Sequence, residues 1–378
     1  MRLLARACFL AAAAATLATP AAAQSDILMR LRSGSPLGDR FRVDSAGGVV
    51  AISQLGIGII PATGQGYRMM WHPFKAAFRA GYADAGGQMD DANVGYYSWA
   101  GGNLNIAAAI YSFALGNQNT VESSAQCGVA LGSTNKIWGS GSNIGTCGFA
   151  MGISNNVLDH VGIAMGQNNW SDGDAAVAVG YRTTADADYS MAFGYRASTN
   201  GHTGAKVFGD ASTTDSIEAV ANNEFAVRAA GGFRFRSNAT LTNGCNIAAG
   251  GASITCASSM TLKENYLTVD GEDVLRRMRD IPVTTWNYID EGRASRHMGP
   301  FAEDFWNAFR LGDDPRGIGH LDIDGVNFAA IKALDERTRQ LQARDAEVAR
   351  LRQQVDGLRA RLEALETMVR RGSQQAQP

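Results

Sequence analysis

The chain has 378 residues and carries 34 Lys and Arg against 36 Asp and Glu, a formal charge of −2. So even a balance excludes binding to nucleic acid or an anionic membrane driven by bulk charge. The length leaves room for two or three domains.

At the start, Arg2 and Arg6 precede an apolar run to about Leu17 and the small residues Ala21-Ala22-Ala23. This is the form of a secretory signal peptide over residues 1–23, cut before Gln24. The apolar run is shorter than the ~20 residues a membrane-spanning helix needs. Cys8 precedes most of that run, which argues against a lipidated cysteine. Without the leader's two arginines the balance is 32 basic against 36 acidic residues, or −4. No later stretch is apolar enough to span a bilayer, and no C-terminal run alternates like the strands of an outer-membrane barrel. The mature chain is expected to be exported to the periplasm, the cell surface or the medium, with no nucleic-acid partner and no transmembrane segment.

Four cysteines remain after leader removal: Cys127, Cys147, Cys245 and Cys256. An even number in an exported chain predicts two disulfides. A zinc site is the rival, but no Cys-x-x-Cys or paired histidine accompanies them.

Residues 24–92 read as a β-rich N-terminal cap or attachment region, with short strands at 41–43 and 49–53 and an aromatic and basic cluster from Tyr67 to Phe78. Over residues 93–210 one unit recurs: apolar, Ala or Val, apolar, Gly. Examples are Phe113-Ala114-Leu115-Gly116, Ile163-Ala164-Met165-Gly166 and Met191-Ala192-Phe193-Gly194. From Gly102 to Gly209 the closing glycines stand 14, 16, 20, 14, 14, 14 and 15 residues apart, a solenoid signature. Side chains alternate between the two faces of a strand, so the two larger apolar residues are expected to share the inner face and Ala and Gly the outer one. One coil cannot bury its own apolar pair, so coils must stack, with Asn, Ser, Thr and Asp supplying the turns. A parallel β-roll or β-helix is favoured over a sandwich of hairpins.

The cysteines fit this register. Cys127 and Cys147 each precede the closing glycine of their own unit by five residues. Stacked strands lie ~4.8 Å apart, within a disulfide's reach, so a rung-to-rung Cys127–Cys147 bond is predicted. Residues 211–257 read as a β-rich neck in which Cys245 and Cys256 flank a Gly/Ala-rich loop and pin a hairpin. The repeats resemble the head repeats of trimeric autotransporter adhesins, which form left-handed parallel β-rolls packed as trimers. Unlike those adhesins, the chain has no recognisable C-terminal membrane anchor.

Residues 258–333 read as a compact α+β module. Helices are expected from Gly271 to Arg279 and from Pro300 through Phe301, Phe305 and Phe309, with a strand at 283–288 between them. His320, Asp322 and Asp324 read as a polar loop, or less favourably as metal ligands, before a last helix starting near Gly325. Heptads fill 334–370, with Leu334, Leu341, Val348, Val355, Leu362 and Val369 at a and Arg337, Arg344, Leu351, Leu358 and Leu365 at d. This is a coiled-coil pattern. β-branched residues at a with Leu at d favour a parallel dimer, whereas the resemblance of the repeats favours a homotrimer.

Three segments carry a second resemblance: Ser258-Ser259-Met260-Thr261-Leu262-Lys263-Glu264-Asn265, Ile281-Pro282-Val283-Thr284-Thr285-Trp286-Asn287-Tyr288, and Arg296-His297-Met298-Gly299-Pro300-Phe301-Ala302-Glu303-Asp304-Phe305. With the closing helix they resemble, over about residues 257–345, the endosialidase-type intramolecular chaperone of phage tailspikes and tail fibres, also found in bacterial surface proteins. The resemblance implies a domain that trimerises, helps the upstream β-fibre fold in register, and cuts itself off before a serine with a Ser/Lys dyad. It places the nucleophile at Ser258, the base at Lys263 and the scissile bond between Ala257 and Ser258. In that family Asp commonly follows the serine, and here Ser259 does, an exchange that the site either tolerates or answers with weakened or lost activity; Ser259, four residues before Lys263, is the less favoured alternative nucleophile. His297 is a candidate oxyanion-stabilising group or a structural histidine. No cofactor or metal is expected.

The expected protein is therefore mainly β with an α+β C-terminal module, a self-processing trimeric tail-fibre-like or surface-fibre chain. The alternative is a non-enzymatic adhesin or host-binding fibre that keeps the module as a trimer clamp. In either case a cell-surface or glycan ligand would meet the β-roll. Glycan cleavage is disfavoured because no paired carboxylates stand out in the repeats.

Overall fold

A computed structural model of the chain describes residues 27–33, 38–139 and 147–375. The leader expected over residues 1–23 lies outside them. The chain divides into two units, Met1–Ala257 and Ser258–Pro378.

In the first unit the recurring glycines form one column. Gly102, Gly116, Gly132, Gly152, Gly166, Gly180, Gly194 and Gly209 are successive parallel register partners. Each ends or nearly ends a strand of four or five residues, and each coil adds a second strand of two residues. The coils stack into an 11-stranded sheet and an 8-stranded sheet. The glycine column is obligatory, because a Cβ on Gly166 would stand 2.1 Å from the Gly180 carbonyl oxygen, and φ there is +112°.

The two faces of the long strands are the reverse of the expectation. Ala114, Ala130, Ala150, Ala164, Ala178 and Ala192 are fully buried, while Phe113, Leu115, Val177, Val179, Met191 and Phe193 are only half-buried on the outer face. The reason is size. Each coil is closed by a strand of only two residues, whose Ala107, Val121, Ile137, Val157 and Ala185 point into the same lumen. That space holds the methyl of Ala and the branched side chains of Val and Ile but no aromatic ring, so the larger side chains of a single chain stay outside.

The lumen also holds a polar ladder that the turn assignment of Asn missed. Asn105, Asn119, Asn135, Asn155 and Asn169 each follow a column glycine by three residues and are buried. Asn135 Nδ2 donates to the Asn119 side-chain oxygen, to Leu131 O in its own coil and to Gly152 O in the next, each at 2.9 Å. Its own Oδ1 accepts from Asn155 N at 3.0 Å. Thr183 continues the ladder by donating its hydroxyl to Asn169 Oδ1 at 2.7 Å. Buried amides are tolerated when every donor finds an acceptor.

An antiparallel hairpin, Gly66–His72 with Ala77–Ala83, leads into the long sheet and takes in the aromatic and basic cluster. Ala77–Ala83 then pairs in parallel with Trp99–Asn103. Before it lies a three-stranded antiparallel sheet of Ile27–Ser33, Gly38–Asp44 and Val49–Ala51. After the last coil, Phe233–Arg236, Gly244–Ile247 and Ile254–Cys256 form another. Both expected disulfides are present: Cys127–Cys147, with Cα atoms 4.8 Å apart, and Cys245–Cys256 between register partners of the neck sheet.

The second unit holds helices α1 (Gly271–Arg279), α2 (Ala302–Phe309) and α3 (His320–Gln375), with a two-stranded sheet of Thr284–Trp286 and His297–Gly299. Asp270 caps α1 by accepting from Glu272 N and Asp273 N. Val274, Phe305, Val326 and Ala330 form the core. The last helix begins at His320, five residues before the expected Gly325, so His320, Asp322 and Asp324 are helical rather than a polar loop. Asp322 in the first turn suits the positive end of the helix dipole, and Ile323 packs against the core. Farther along α3 the heptad positions Leu341, Val348, Leu351, Val355, Leu358 and Leu362 are all exposed in the single chain.

Candidate functional site

Ser258 opens the second unit, and its first local structure is a single 3₁₀ turn, Met260–Leu262. Ser259 adopts an extended conformation and caps that turn, its Oγ accepting from Thr261 N at 3.3 Å. Lys263 closes the turn by donating its backbone N–H to Met260 O. Two residues on, Asn265 has φ +58° and reverses the chain, so the Tyr266 hydroxyl donates back to Met260 O at 2.6 Å and approaches Lys263 O at 3.1 Å. The turn is thus tied at its start and end.

This tie sets the geometry of the pair. Lys263 Nζ donates to Ser258 Oγ at 2.7 Å. Ser259 Oγ instead contacts Thr261 Oγ1 at 2.9 Å, and no hydrogen bond joins it to Lys263 among the described residues. Ser258 and Lys263 are both exposed in the single chain. Leu262 therefore does not provide, within one copy, the dry surroundings that favour a neutral lysine.

His297 belongs to a different group. Its Nε2 lies 2.8 Å from Glu291 Oε2, and its ring packs on Trp286 and Tyr288 at centroid distances of 4.8 and 5.7 Å. The His297 hydrogen bond, and then one from Tyr288 N, hold the Glu291 carboxyl below the usual carboxylate range. Among the described residues no hydrogen bond links His297 to Ser258 or Lys263. A groove of about 640 Å³ lies between α1, α2 and α3, lined by Leu267, Val274, Phe309, Leu321 and Val326, and the Ser/Lys pair is outside it. No group of three or more His, Cys, Asp or Glu able to hold a metal occurs among the described residues, and no helix there is long and apolar enough to cross a membrane.

One buried cation was not singled out by sequence reasoning. Arg79, fully buried, donates to Phe78 O, Ser98 Oγ and Ala107 O, each at 2.8 Å, and to Ser98 O at 3.2 Å. Burial lowers its guanidinium to about 10, so it stays charged at neutral pH. The available signal was an arginine at the alanine position of the unit, one strand ahead of the first recognised repeat.

Comparison with known families matches both parts of the chain. Residues 258–310 match the family model described as chaperone of endosialidase, Peptidase_S74. Residues 162–183 and 171–197 match two copies of the YadA head domain repeat. No curated protein and no solved structure matches the chain. The first match begins at Ser258, the residue that opens the second unit.

Proposed function

We propose that this chain is an exported, homotrimeric tail-fibre-like or surface-fibre protein whose C-terminal module assembles the trimer and then cuts itself off before Ser258. The observation that carries the reading is the 2.7 Å contact between Lys263 Nζ and Ser258 Oγ at the first residue of the second unit. The family match starting at the same residue supports it. Trimer formation is supported by the YadA-like head repeats and by the outward apolar columns of the solenoid. The bare heptad face of α3 fits a coiled coil.

The chemistry follows from the pair. A serine hydroxyl needs a base within hydrogen-bond reach, and a lysine amine serves when neutral. Ser258 Oγ attacks the Ala257 carbonyl carbon as its proton passes to Lys263. The Ala257–Ser258 C–N bond breaks as Lys263 returns that proton to the departing nitrogen, leaving Ala257 esterified to Ser258 Oγ. Lys263 takes a proton from water as it attacks the ester and returns it to the departing Ser258 Oγ, freeing the Ala257 carboxylate and leaving the Ser258 amine as the new N-terminus. Each chain performs this once.

Such a module answers a folding problem. Parallel β-topology forms slowly and exposes strand edges on the way, and three copies must also agree on register. A module that trimerises first aligns them, and its removal leaves a product held by a kinetic barrier. Delivered to the periplasm, cell surface or medium, the solenoid would present its surface to a cell-surface or glycan ligand.

A second reading is favoured by the exposure of Ser258 and Lys263 and by Ser259 standing where Asp is common. In it the module remains attached as a trimer clamp. Intact mass and N-terminal sequencing of the purified protein, beside Ser258→Ala, separate the two. A fragment starting at Ser258 that disappears in the variant supports self-cleavage, and Lys263→Ala should then also abolish it. One uncut chain in both samples leaves the clamp.

A further inference from the structure

The outer face of the long strands is bounded by unlike charges, among the described residues on only two coils. Asp174 and Asp188 stand just ahead of the strands Val177–Tyr181 and Met191–Tyr195, and Arg182 and Arg196 stand just after them. These residues hold equivalent places one coil apart: Tyr189 N donates to Asp174 O, and Arg196 N donates to Tyr181 O. The other coils carry Ile110, Gln126, His160 and Thr203 at the entry place, and Leu104, Gln118, Thr134, Ser154 and Asn168 at the exit place. The two coils with an acidic entry are therefore the two with a basic exit.

None of the four charges meets an opposite charge among the described residues, although Asp188 Oδ1 accepts from Asp174 N at 3.0 Å. Among the described residues, no carboxylate pairs with Arg182 or Arg196, and no cation pairs with Asp174 or Asp188. Asp174 Oδ1 is shielded from solvent with no hydrogen-bond partner, as is Arg196 Nε. The arginines are also held in place. Tyr181 and Tyr195 stack with centroids 5.3 Å apart at 9°, and the Arg182 and Arg196 guanidinium groups lie 5.4 and 5.8 Å from those rings. A five-residue strand spans roughly 17 Å, too far for Asp174 to reach Arg182 of its own chain. Between the charged edges lie the half-buried apolar side chains Val177, Val179, Met191 and Phe193.

We propose that this face docks a second copy of the chain, so that Asp174 and Asp188 of one copy pair with Arg182 and Arg196 of the next. The inference rests on the trimer reading above and adds the residues that set its register. A closed head-to-tail ring brings the entry edge of each copy against the exit edge of its neighbour. With the ring axis along the solenoid, every coil meets the same coil of its neighbour, so charges confined to the same two coils find each other without a shift. A slip by one coil would leave one carboxylate and one guanidinium unpaired, and like charges brought together would oppose other alignments. The arginines, fixed by their tyrosines, lose little side-chain freedom on pairing.

The test uses the full chain with Asp174→Cys and Arg182→Cys together, treated with a short bis-maleimide and run on a denaturing gel, alongside sedimentation of the wild type. Of the five native cysteines four are already bonded, and Cys8, in the expected leader, is replaced by Ser in every sample. We expect a covalent trimer from the double variant and only uncross-linked chain from either single variant. Charge reversal supplies a second readout. Asp174→Arg with Asp188→Arg, or Arg182→Asp with Arg196→Asp, should each lower the unfolding temperature of the trimer, and all four together should restore it. A wild-type trimer that gives no cross-linked trimer, or half-reversals that unfold like the wild type, overturns the ladder alone. A monomeric wild type overturns the trimer reading on which it rests.

Discussion

Arg79 is the register partner of Ala100, so the strand ahead of the first coil carries a guanidinium where the later coils carry the methyl of an alanine or the side chain of Val207. The group fills the end of the lumen and donates to Ser98 Oγ and, as a second donor beside Phe78 N and Gly95 N, to the Ser98 and Ala107 carbonyls. Arg79→Ala should destabilise the solenoid by about 3 kcal/mol, since it removes several buried charge-assisted hydrogen bonds and opens a cavity. Arg79→Met restores most of the volume but no donor, and should recover less than half of the loss. Denaturant midpoints of the two variants check this, and a loss below about 1 kcal/mol for Arg79→Ala would show that the plug is dispensable.

The ladder inside the lumen predicts a sharp contrast between a buried and an exposed asparagine. Asn135 makes three side-chain donor bonds and accepts from the next coil, whereas Asn168 is exposed at a corner with φ +57°. Asn135→Ala should cost roughly 2–4 kcal/mol, from a broken buried network. Asn168→Gly should stay within about 0.5 kcal/mol, because glycine accepts the same backbone conformation. Equal losses at the two sites would contradict the ladder.

A paired glycine test separates backbone strain from collision. Gly201 has φ +72° with open space where a Cβ would go, and Gly166 has φ +112° with the Gly180 carbonyl in that place. Gly201→Ala should lose roughly 1 kcal/mol from strain. Gly166→Ala adds a clash with backbone that cannot swing away, and should lose more than about 3 kcal/mol or fail to fold. Thermal unfolding of the pair decides it.

What was legible in the sequence follows the same physics. The glycine spacing sets the coil register, because close approach of neighbouring backbones admits no side chain, and the cysteines inherited that register. The facing of Phe113 and Ala114 was not legible, because alternation says that they oppose each other and not which of them the lumen can hold. The asparagine three residues after Gly102, Gly116, Gly132, Gly152 and Gly166 looked like turn chemistry, since several of its hydrogen-bond partners lie in adjacent coils. In the second unit, α1 was readable from Gly271 to Arg279 because Val274, Leu275 and Met278 form one stripe. The start of α3 was misjudged because His320, Asp322 and Asp324 are polar, while the packing of Ile323 and Val326 decides the matter. The Ser258–Lys263 contact depends on a turn tied by Ser259 and Tyr266, which the spacing of Ser and Lys does not reveal.

Acid should loosen the sheet around Trp286 through Glu291. The His297 hydrogen bond holds the Glu291 carboxyl below its ordinary value, so the folded state binds that proton less readily than the unfolded one. The resulting stabilisation is present above the ordinary glutamate range and is lost as pH falls through the lowered folded value. Both side chains are about a third or more exposed, so the effect is small and screened by salt. Trp286 fluorescence, followed on acidification at low salt, should show a step that is absent in Glu291→Gln. A step of the same size in that variant would assign it to another group.

Ser259 gives the last prediction, because the structure separates its role from that of Ser258. Its Oγ caps the 3₁₀ turn through Thr261 N and contacts Thr261 Oγ1, while Lys263 reaches Ser258. Removing a serine cap from a helix costs roughly 1 kcal/mol, and a similar loss here would reduce the equilibrium constant for holding Lys263 in place about five-fold. If the module cleaves itself, Ser259→Ala should therefore slow cutting by at most about five-fold without moving the new N-terminus from Ser258, and Ser258→Ala should stop it. Time courses of fragment appearance, with N-terminal sequencing at each point, distinguish the two roles. A fragment that begins at Ser259 and survives Ser258→Ala would make Ser259 the nucleophile and Ser258 the bystander.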